Sequence, residues 1–204
     1  MKYYEEQARS TAAAYEAVDS LPMITPIMSY LPAGGKLLDI GCGSGRDAAF
    51  FLEQGYEVTA LDGSAAMLAE AASYHPELAD RLLHHKLPRK LPFEEESFDI
   101  VLSMAVLMHL ERDALPEVFS DIRRVTRAGG IFAYSANTER PGLDDTGHDG
   151  KGRRFTCLDL EAWKRLHRDA GMETIAAWES DDITGRPGIR WATFVCRRGD
   201  GDNE

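Results

Sequence analysis

The chain has 204 residues and an acidic balance, with 23 Lys and Arg against 34 Asp and Glu and a formal net charge of −11 at pH 7. This length suits one globular domain that buries its core without disulfides, and three scattered cysteines do not form a disulfide framework. The negative charge disfavours nucleic acid and anionic membrane surfaces as partners. The polar first residues and the absence of an 18-residue apolar run predict neither a signal peptide nor a membrane span, and we expect a cytoplasmic protein.

Short apolar runs alternate with helical patterns along the chain. The apolar runs predict strands over 36–40, 57–62, 97–105 and 131–136, and a weaker strand over 82–86. Helices are predicted over 46–54, 64–74, 115–125 and 158–170. The last two runs, 172–180 and 189–198, flank a turn region and are expected to pair antiparallel. This alternation predicts an α/β fold with a mostly parallel sheet and helices on both faces.

The richest motif is the sequence DIGCGSGRD, which starts at Asp39 and lies at a strand-to-helix turn. Glycines there allow a ligand to approach the backbone closely, and the next helix presents free N–H groups. A P-loop is excluded because no Gly-Lys-Ser/Thr follows. Arg46 stands where a dinucleotide site needs its third glycine, which argues against that site without excluding it. The third interpretation is an adenosyl ligand without phosphates.

Asp62 ends the second predicted strand. A carboxylate at this place can accept hydrogen bonds from both ribose hydroxyls of an adenosyl group. The alternative is an ordinary polar residue at a strand end. The glycine turn and Asp62 together favour the ribose role.

Four segments together resemble the class I S-adenosylmethionine-dependent methyltransferases, in that family's order and spacing: LLDIGCGSGRDAAFFLEQG, EVTALDGSAAML, LPFEEESFDIVLSMAVLMHL and RRVTRAGGIFAYS. The resemblance implies a Rossmann-like, doubly wound, seven-stranded sheet with an antiparallel C-terminal hairpin. It also implies S-adenosylmethionine as cofactor and methyl transfer to an acceptor. The variant GCGSGRD looks like the small-molecule and heteroatom enzymes of the family, including tellurite and thiol methyltransferases.

The resemblance carries cofactor contacts over to a set of residues in and around these segments: Asp39, Gly41, Cys42, Gly43, Arg46, Asp62, Gly63, Ser64, Met67, Leu87, Ser103, Met104 and Ala105. Asp39 would orient the loop or the cofactor amino group. Arg46 would bind the methionine carboxylate or be a surface charge. Family members often hold adenine with an acid after the third strand. Residues 85–88 read HKLP here, so backbone groups and apolar packing are expected to replace it.

The resemblance also suggests how one methyltransferase domain over 1–204 is organised. We expect an N-terminal helical cover of one or two helices over 1–30, a cofactor-binding core over 31–136, a candidate substrate loop over 137–157, a C-terminal helix and hairpin over 158–198, and a disordered tail over 199–204. Tyr3, Tyr4 and Tyr15 in the cover would close over the cofactor or simply pack against the core.

His109 follows the fourth strand and is the candidate general base, with a structural role as the alternative. The candidate acceptor contacts in the substrate loop are His148, Arg153, Arg154 and Phe155. Alternatively, the two arginines pair with Asp144, Asp145 or Asp159 in a solvated loop. No Cys/His set has zinc spacing, so we predict no metal. The function predicted is methylation of a small molecule; the alternatives are a non-catalytic cofactor-binding subunit and a protein methyltransferase.

Overall fold

Seven strands form one sheet in the computed structural model, which describes residues 2–199. The strands are β1 (Lys36–Ile40), β2 (Glu57–Asp62), β3 (Leu82–His84), β4 (Phe98–Met104), β5 (Thr126–Glu139), β6 (Met172–Asp181) and β7 (Arg190–Arg198). Their order is β3-β2-β1-β4-β5-β7-β6. The first five strands are parallel, and β7 runs antiparallel to both β5 and β6. The predicted fold class is therefore confirmed.

Helices cover both faces of this sheet. They are α1 (Lys2–Glu6), α2 (Ala8–Glu16), α3 (Leu21–Met28), α4 (Arg46–Glu53), α5 (Ala65–Tyr74), α6 (Leu115–Val125) and α7 (Leu160–Asp169). Successive residues of β4 enter different cores, because side chains of a strand alternate between its two faces. Val101 packs in the core beneath α6 and α7, whereas Ile100 packs in the core beneath α3 and α4. Within residues 2–199, no helix is long and apolar enough to cross a bilayer.

The structure differs from the sequence-based expectations at three places. The N-terminal segment forms three short helices rather than one or two. The strand expected at 131 begins at Thr126, and Gly129 with a φ of 69° lies in a register shift within this strand rather than before it. The same strand continues to Glu139, so the long loop begins at Arg140 rather than at 137. Of the expected tail, residues 200–204 lie outside the described residues.

The sheet order places the candidate site. From β1 the chain winds outward to β2 and β3, and it then crosses back to β4 on the other side of β1. Ligands of such sheets bind beyond the carboxyl ends of the strands where the winding direction changes. The glycine turn after β1 and the residues that end β2 and β4 all lie at that edge.

Candidate active site

The glycine turn connects β1 to α4 through a backbone that ordinary residues adopt poorly. Gly41, Gly43 and Gly45 have φ values of 77°, 58° and 85°. A Cβ at Gly41 would overlap the side chain of Val106, so packing excludes any larger residue there. A Cβ at Gly43 would instead lie 3.4 Å from the ring of Tyr15, which covers the turn. The turn therefore presents bare backbone toward the segment that covers it.

Asp62 connects the glycine turn after β1 with the turn after β2 by hydrogen bonds. Its Oδ2 accepts the N–H of Gly43 (3.0 Å), and its Oδ1 accepts the N–H of Ser64 (2.8 Å). Burial raises the pKa of this carboxyl, while these backbone donors oppose the increase. Each carboxylate oxygen has room for a second donor, so Asp62 can also accept from a ligand. Ser64 begins α5 by accepting the N–H of Met67 (3.2 Å) at its hydroxyl.

Asp39 is buried with an incomplete set of partners. Its residue is 4% exposed, and its Oδ2 has no hydrogen-bond partner among the described residues. Burial is the main reason that its pKa lies well above the usual range; the charges of Asp47 and Asp62 raise it further, and that of Arg46 lowers it. An unpaired carboxyl oxygen in the interior is unfavourable unless a ligand donates to it. The surplus of carboxyl groups here suits a cation.

Arg46 contacts both its neighbour Asp47 and the N-terminal segment. Its Nε donates to Asp47 (2.9 Å), and its Nη1 donates to the carbonyls of Tyr15 (2.6 Å) and Val18 (3.1 Å). These carbonyls lie at the end of α2 and just after it, where a helix leaves its last acceptors unsatisfied. The guanidinium therefore holds the N-terminal helices against the glycine turn.

The residues that end β4 combine burial with an unusual backbone. Ala105 has a φ of 61°, although it is not glycine, and its N–H donates to the hydroxyl of Ser135 (3.0 Å). Ser103 is fully buried, and its own hydroxyl has no partner in residues 2–199. Met104 follows it, partly buried against the core beneath α3 and α4. Left-handed backbone at non-glycine residues concentrates at ligand sites.

The expected adenine side contains apolar groups and one carboxylate that the sequence did not indicate. Met67 is buried against α2, and its terminal methyl lies 3.8 Å from the position of a Cβ at Gly43. Glu5 accepts the N–H groups of Ala65 (3.0 Å) and Ala66 (3.4 Å) at the start of α5. No sequence signal marks Glu5, because its partners lie 60 and 61 residues away.

Three further residues were expected to contact the cofactor: Cys42, Gly63 and Leu87. Cys42 is buried beside the glycine turn, and burial raises the pKa of its thiol. The carbonyl of Gly63 lies 3.2 Å from Nε2 of His84. Leu87 is partly buried against the core beneath α6 and α7.

His109 has a defined tautomer. Its Nδ1 lies 2.6 Å from the carbonyl oxygen of Arg154, which can only accept, so Nδ1 carries the proton. Its Nε2 lies 3.0 Å from the hydroxyl of Tyr4. Burial lowers the pKa of His109 to about 4; the Arg154 carbonyl opposes this, and the charges of Arg153 and Arg140 add to it. The imidazole is therefore neutral near pH 7, and Nε2 accepts a hydrogen bond from the Tyr4 hydroxyl.

The candidate substrate loop contacts this histidine through Phe155. The Phe155 ring is buried, and its centroid lies 4.7 Å from that of His109. Arg153 binds Asp149 through Nε (2.9 Å) and Nη2 (2.6 Å), and Arg154 pairs with Glu111. The expected alternative partners of the arginines were therefore wrong.

His148 lies near the middle of the same loop. It forms an isolated bridge with Arg154, and its Nδ1 lies 2.8 Å from the hydroxyl of Thr146. Asp159, one of the partners expected for the arginines, instead begins α7 by accepting the N–H of Ala162 (2.7 Å). Among residues 2–199, no group of three or more His, Cys, Asp or Glu side chains could hold a metal ion.

Comparisons with known proteins agree with this geometry. Residues 38–134 match the family model described as a methyltransferase domain. Malonyl-[acyl-carrier protein] O-methyltransferase of Pectobacterium atrosepticum is 36% identical over 111 residues, which cover 53% of this chain and 42% of the relative. The probable S-adenosyl-L-methionine-dependent methyltransferase TehB of Haemophilus influenzae is 28% identical over 205 residues, covering 96% of this chain and 66% of the relative. The chain thus spans less than two thirds of the length of either relative.

A solved structure shares the fold over nearly the whole chain. It is the 1,6-didemethyltoxoflavin-N1-methyltransferase of Burkholderia thailandensis with bound 1,6-didemethyltoxoflavin and S-adenosylhomocysteine, with a TM-score of 0.77 and 23% identity. The superposition covers 96% of this chain and 85% of that one. The sheet order and the glycine turn define a Rossmann-like methyltransferase domain. The matching domain model, the named relatives and the shared fold together indicate a class I S-adenosylmethionine-dependent methyltransferase, with S-adenosylmethionine as cofactor.

Proposed function

We propose that the protein transfers the methyl group of S-adenosylmethionine to a small-molecule acceptor. The observation that carries this proposal is the enclosure of His109. Tyr4 from α1 and Phe155 from the loop after β5 both contact its ring, so segments from distant parts of the chain meet over it. An enclosed, largely aromatic site suits a small molecule better than a polymer. The Burkholderia neighbour, which binds a small heterocycle, is consistent with this choice.

The described residues fit the cofactor, which supplies an electrophilic methyl group on a sulfonium. In this proposal, Asp62 accepts the ribose hydroxyls and the unpaired oxygen of Asp39 accepts the amino group. The backbone of the glycine turn and the end of β4 line the methionine part, and Gly63, Ser64, Met67 and Leu87 line the adenine side. The carboxyl groups of Asp39, Asp47 and Asp62 also disfavour the anionic pyrophosphate of a dinucleotide.

We assign the N-terminal residues 2–28 as a cover for this site. Tyr15 lies over Gly43, Glu5 accepts from the first N–H groups of α5, and Arg46 holds the end of α2. Because these contacts are made on the cofactor side, we expect α1 and α2 to move when the cofactor binds. Closing again would exclude water from the reacting groups.

His109 would act on the acceptor side. With its Nδ1 proton held by the Arg154 carbonyl, Nε2 is the free acceptor once Tyr4 gives way. As the bond between the methyl carbon and the acceptor forms and the bond from carbon to sulfur breaks, the acceptor proton passes to Nε2. A pKa of about 4 makes this a weak base, so proton transfer is favoured only as the new bond forms. Orientation of the two reactants supplies most of the rate.

Methyl transfer from radiolabelled S-adenosylmethionine tests the proposal. A metabolite extract is divided by filtration into a low-mass fraction and a macromolecular fraction, and each is incubated with the purified protein. Label is expected to enter the low-mass fraction. Label in the macromolecular fraction alone would favour a protein acceptor, and cofactor binding without any turnover would favour a non-catalytic subunit.

Two glycine substitutions provide a matched control. Gly43 and Gly55 both have positive φ, at 58° and 89°, so a Cβ strains the backbone at each. Only at Gly43 does the new Cβ enter the candidate site; at Gly55 it meets no atom within 4 Å. We expect Gly43→Ala to lose cofactor binding and turnover, and Gly55→Ala to keep both. Equal losses in the two variants would attribute the effect to strain rather than to the site.

A further inference from the structure

Arg140, the first residue after β5, is a buried cation without a full set of partners. Its side chain is 8% exposed, and its Nε has no hydrogen-bond partner in the described chain. Its nearest carboxylate oxygen, Oδ2 of Asp149, lies 3.6 Å from Nη2, beyond hydrogen-bond distance. Its guanidinium carbon lies 3.8 Å from the centroid of the Phe155 ring. Burial lowers the pKa of Arg140, and the nearby charges of Arg153 and Arg186 lower it further.

Asp149 cannot neutralise Arg140 as well as Arg153. Its Oδ2 already accepts from Nε (2.9 Å) and Nη2 (2.6 Å) of Arg153. Its Oδ1 accepts the backbone N–H groups of Lys151 (2.9 Å) and Arg153 (3.0 Å). The single negative charge of Asp149 thus lies between two guanidinium groups, and one positive charge is not neutralised.

Arg124 shows what a fully hydrogen-bonded guanidinium looks like in this chain. Arg124 donates to Asp121 (2.7 Å) and to the carbonyls of Phe93 (2.6 Å) and Leu91 (3.0 Å). Its side chain is 17% exposed, which is more than that of Arg140. Since a buried charge without hydrogen bonds is unfavourable, Arg140 is poised for an acceptor that the chain itself does not supply.

The unsatisfied charge lies on the acceptor side of the candidate active site. Phe155 contacts three groups there: its centroid is 3.8 Å from the guanidinium of Arg140, 5.3 Å from that of Arg153 and 4.7 Å from the His109 ring. Arg153 also lies 5.2 Å from the ring of Tyr3, so aromatic faces flank the guanidinium pair.

We propose that Arg140 binds a carboxylate of the methyl acceptor, with Arg153 beside it adding positive charge, so that the acceptor is a small planar acid. This inference rests on the proposed function and assigns the class of its substrate. A guanidinium matches a carboxylate with two parallel hydrogen bonds, and the aromatic rings suit a planar body attached to it. Arg153 and Arg154, the arginines that the sequence suggested for this role, are paired with Asp149 and Glu111. Arg140 is thus the residue to which we assign specificity.

Binding of simple anions tests the assignment without knowledge of the acceptor. Benzoate, benzamide and inorganic phosphate are titrated by calorimetry into the protein with and without S-adenosylhomocysteine. We expect benzoate to bind, the neutral and isosteric benzamide to bind at least tenfold more weakly, and Arg140→Gln to weaken benzoate at least tenfold. Arg190→Gln is the matched control because it removes the same charge from an exposed ion pair with Asp181, and it should change benzoate affinity by less than twofold.

A stability measurement separates this role from a structural one. If Arg140 is retained for a ligand, Arg140→Gln removes a buried charge that is only partly compensated, and it should leave Tm equal or raise it. A lower Tm with unchanged benzoate affinity would overturn the proposal, as would equal binding of benzoate and benzamide. Phosphate binding in preference to benzoate would refute the carboxylate assignment. Failure of S-adenosylhomocysteine to bind, with benzoate still dependent on Arg140, would instead contradict the proposed function alone.

Discussion

Replacing Asp62 with Asn alters the proposed ribose contact with the smallest change in shape. In the wild type, the two carboxylate oxygens of Asp62 accept the N–H groups of Gly43 (3.0 Å) and Ser64 (2.8 Å). Each oxygen can accept one further hydrogen bond, from a ribose hydroxyl. The amide keeps one acceptor and converts the other into a donor, so at least one ribose bond is lost and the second is no longer charge-assisted. Hydrogen bonds to charged groups contribute about 1.5–3 kcal/mol each. A total loss of about 3 kcal/mol corresponds to roughly a hundredfold weaker Kd.

The assay is calorimetric titration with S-adenosylhomocysteine, and Asp99→Asn is the matched control. Asp99 also holds a backbone N–H, that of Lys36 at 2.7 Å, but it lies at the start of β4, away from the glycine turn. Both variants lose a carboxylate that orders the backbone, and the Tm of each shows whether the protein is still folded. Only Asp62→Asn should bind the cofactor product more weakly. A folded Asp62→Asn protein whose Kd stays within threefold of the wild type would refute the ribose assignment.

Two further predictions concern histidines. Burial lowers the pKa of His167 to about 4, so between that value and about 6.5 the unfolded chain binds a proton that the folded chain excludes. The stabilisation from neutral His167 is complete above pH 6.5 and is lost as the pH falls. The difference in unfolding free energy between wild type and His167→Gln, measured by urea titration, should therefore shrink by about 2 kcal/mol from pH 7 to pH 5. A difference that stays constant over this pH range would contradict the prediction. Tyr4→Phe removes the donor to neutral Nε2 of His109, so the pKa of His109 should rise in an NMR titration, whereas Tyr30→Phe at an exposed position should not change it. A fall in the pKa would contradict the tautomer assigned above.

The sequence was most informative where structure is local. The strands β1, β2 and β4 and the helices α5 and α6 follow from apolar periodicity and from residues such as Ser64 that begin helices. The prediction was less accurate for elements too short to show a periodic pattern, such as α1, which has only five residues. It also failed at Gly129-Gly130, because the sequence predicted the strand only from residue 131. There the chain stays in the sheet, and a Cβ at Gly130 would lie 2.8 Å from the carbonyl oxygen of Arg127.

The candidate site was predictable only in its cofactor half. The glycine turn and Asp62 form a compact motif in which spacing implies geometry. The acceptor half depends on contacts between distant segments: the Arg154 carbonyl that sets the tautomer of His109 lies 45 residues away, and the hydroxyl of Tyr4 lies 105 residues away. Arg140 stands in an aperiodic segment, and its importance arises from a carboxylate that another arginine already occupies. No pattern in a single sequence indicates that Arg140 and Arg153 compete for Asp149.

The two halves of the site carry opposite charge, and this bears on the nature of the acceptor. Asp39 and Asp62 surround the cofactor side, whereas Arg140 and Arg153 lie beside His109. Methyl transfer carries positive charge from the sulfonium toward the acceptor. A neutral nucleophile would therefore become cationic next to two guanidinium groups, which raises the barrier. An acceptor that carries a carboxylate neutralises the spare guanidinium before transfer, so the charge that develops is no longer opposed. The charges of Arg140 and Arg153, which add to the effect of burial on the pKa of His109, thus favour an anionic acceptor.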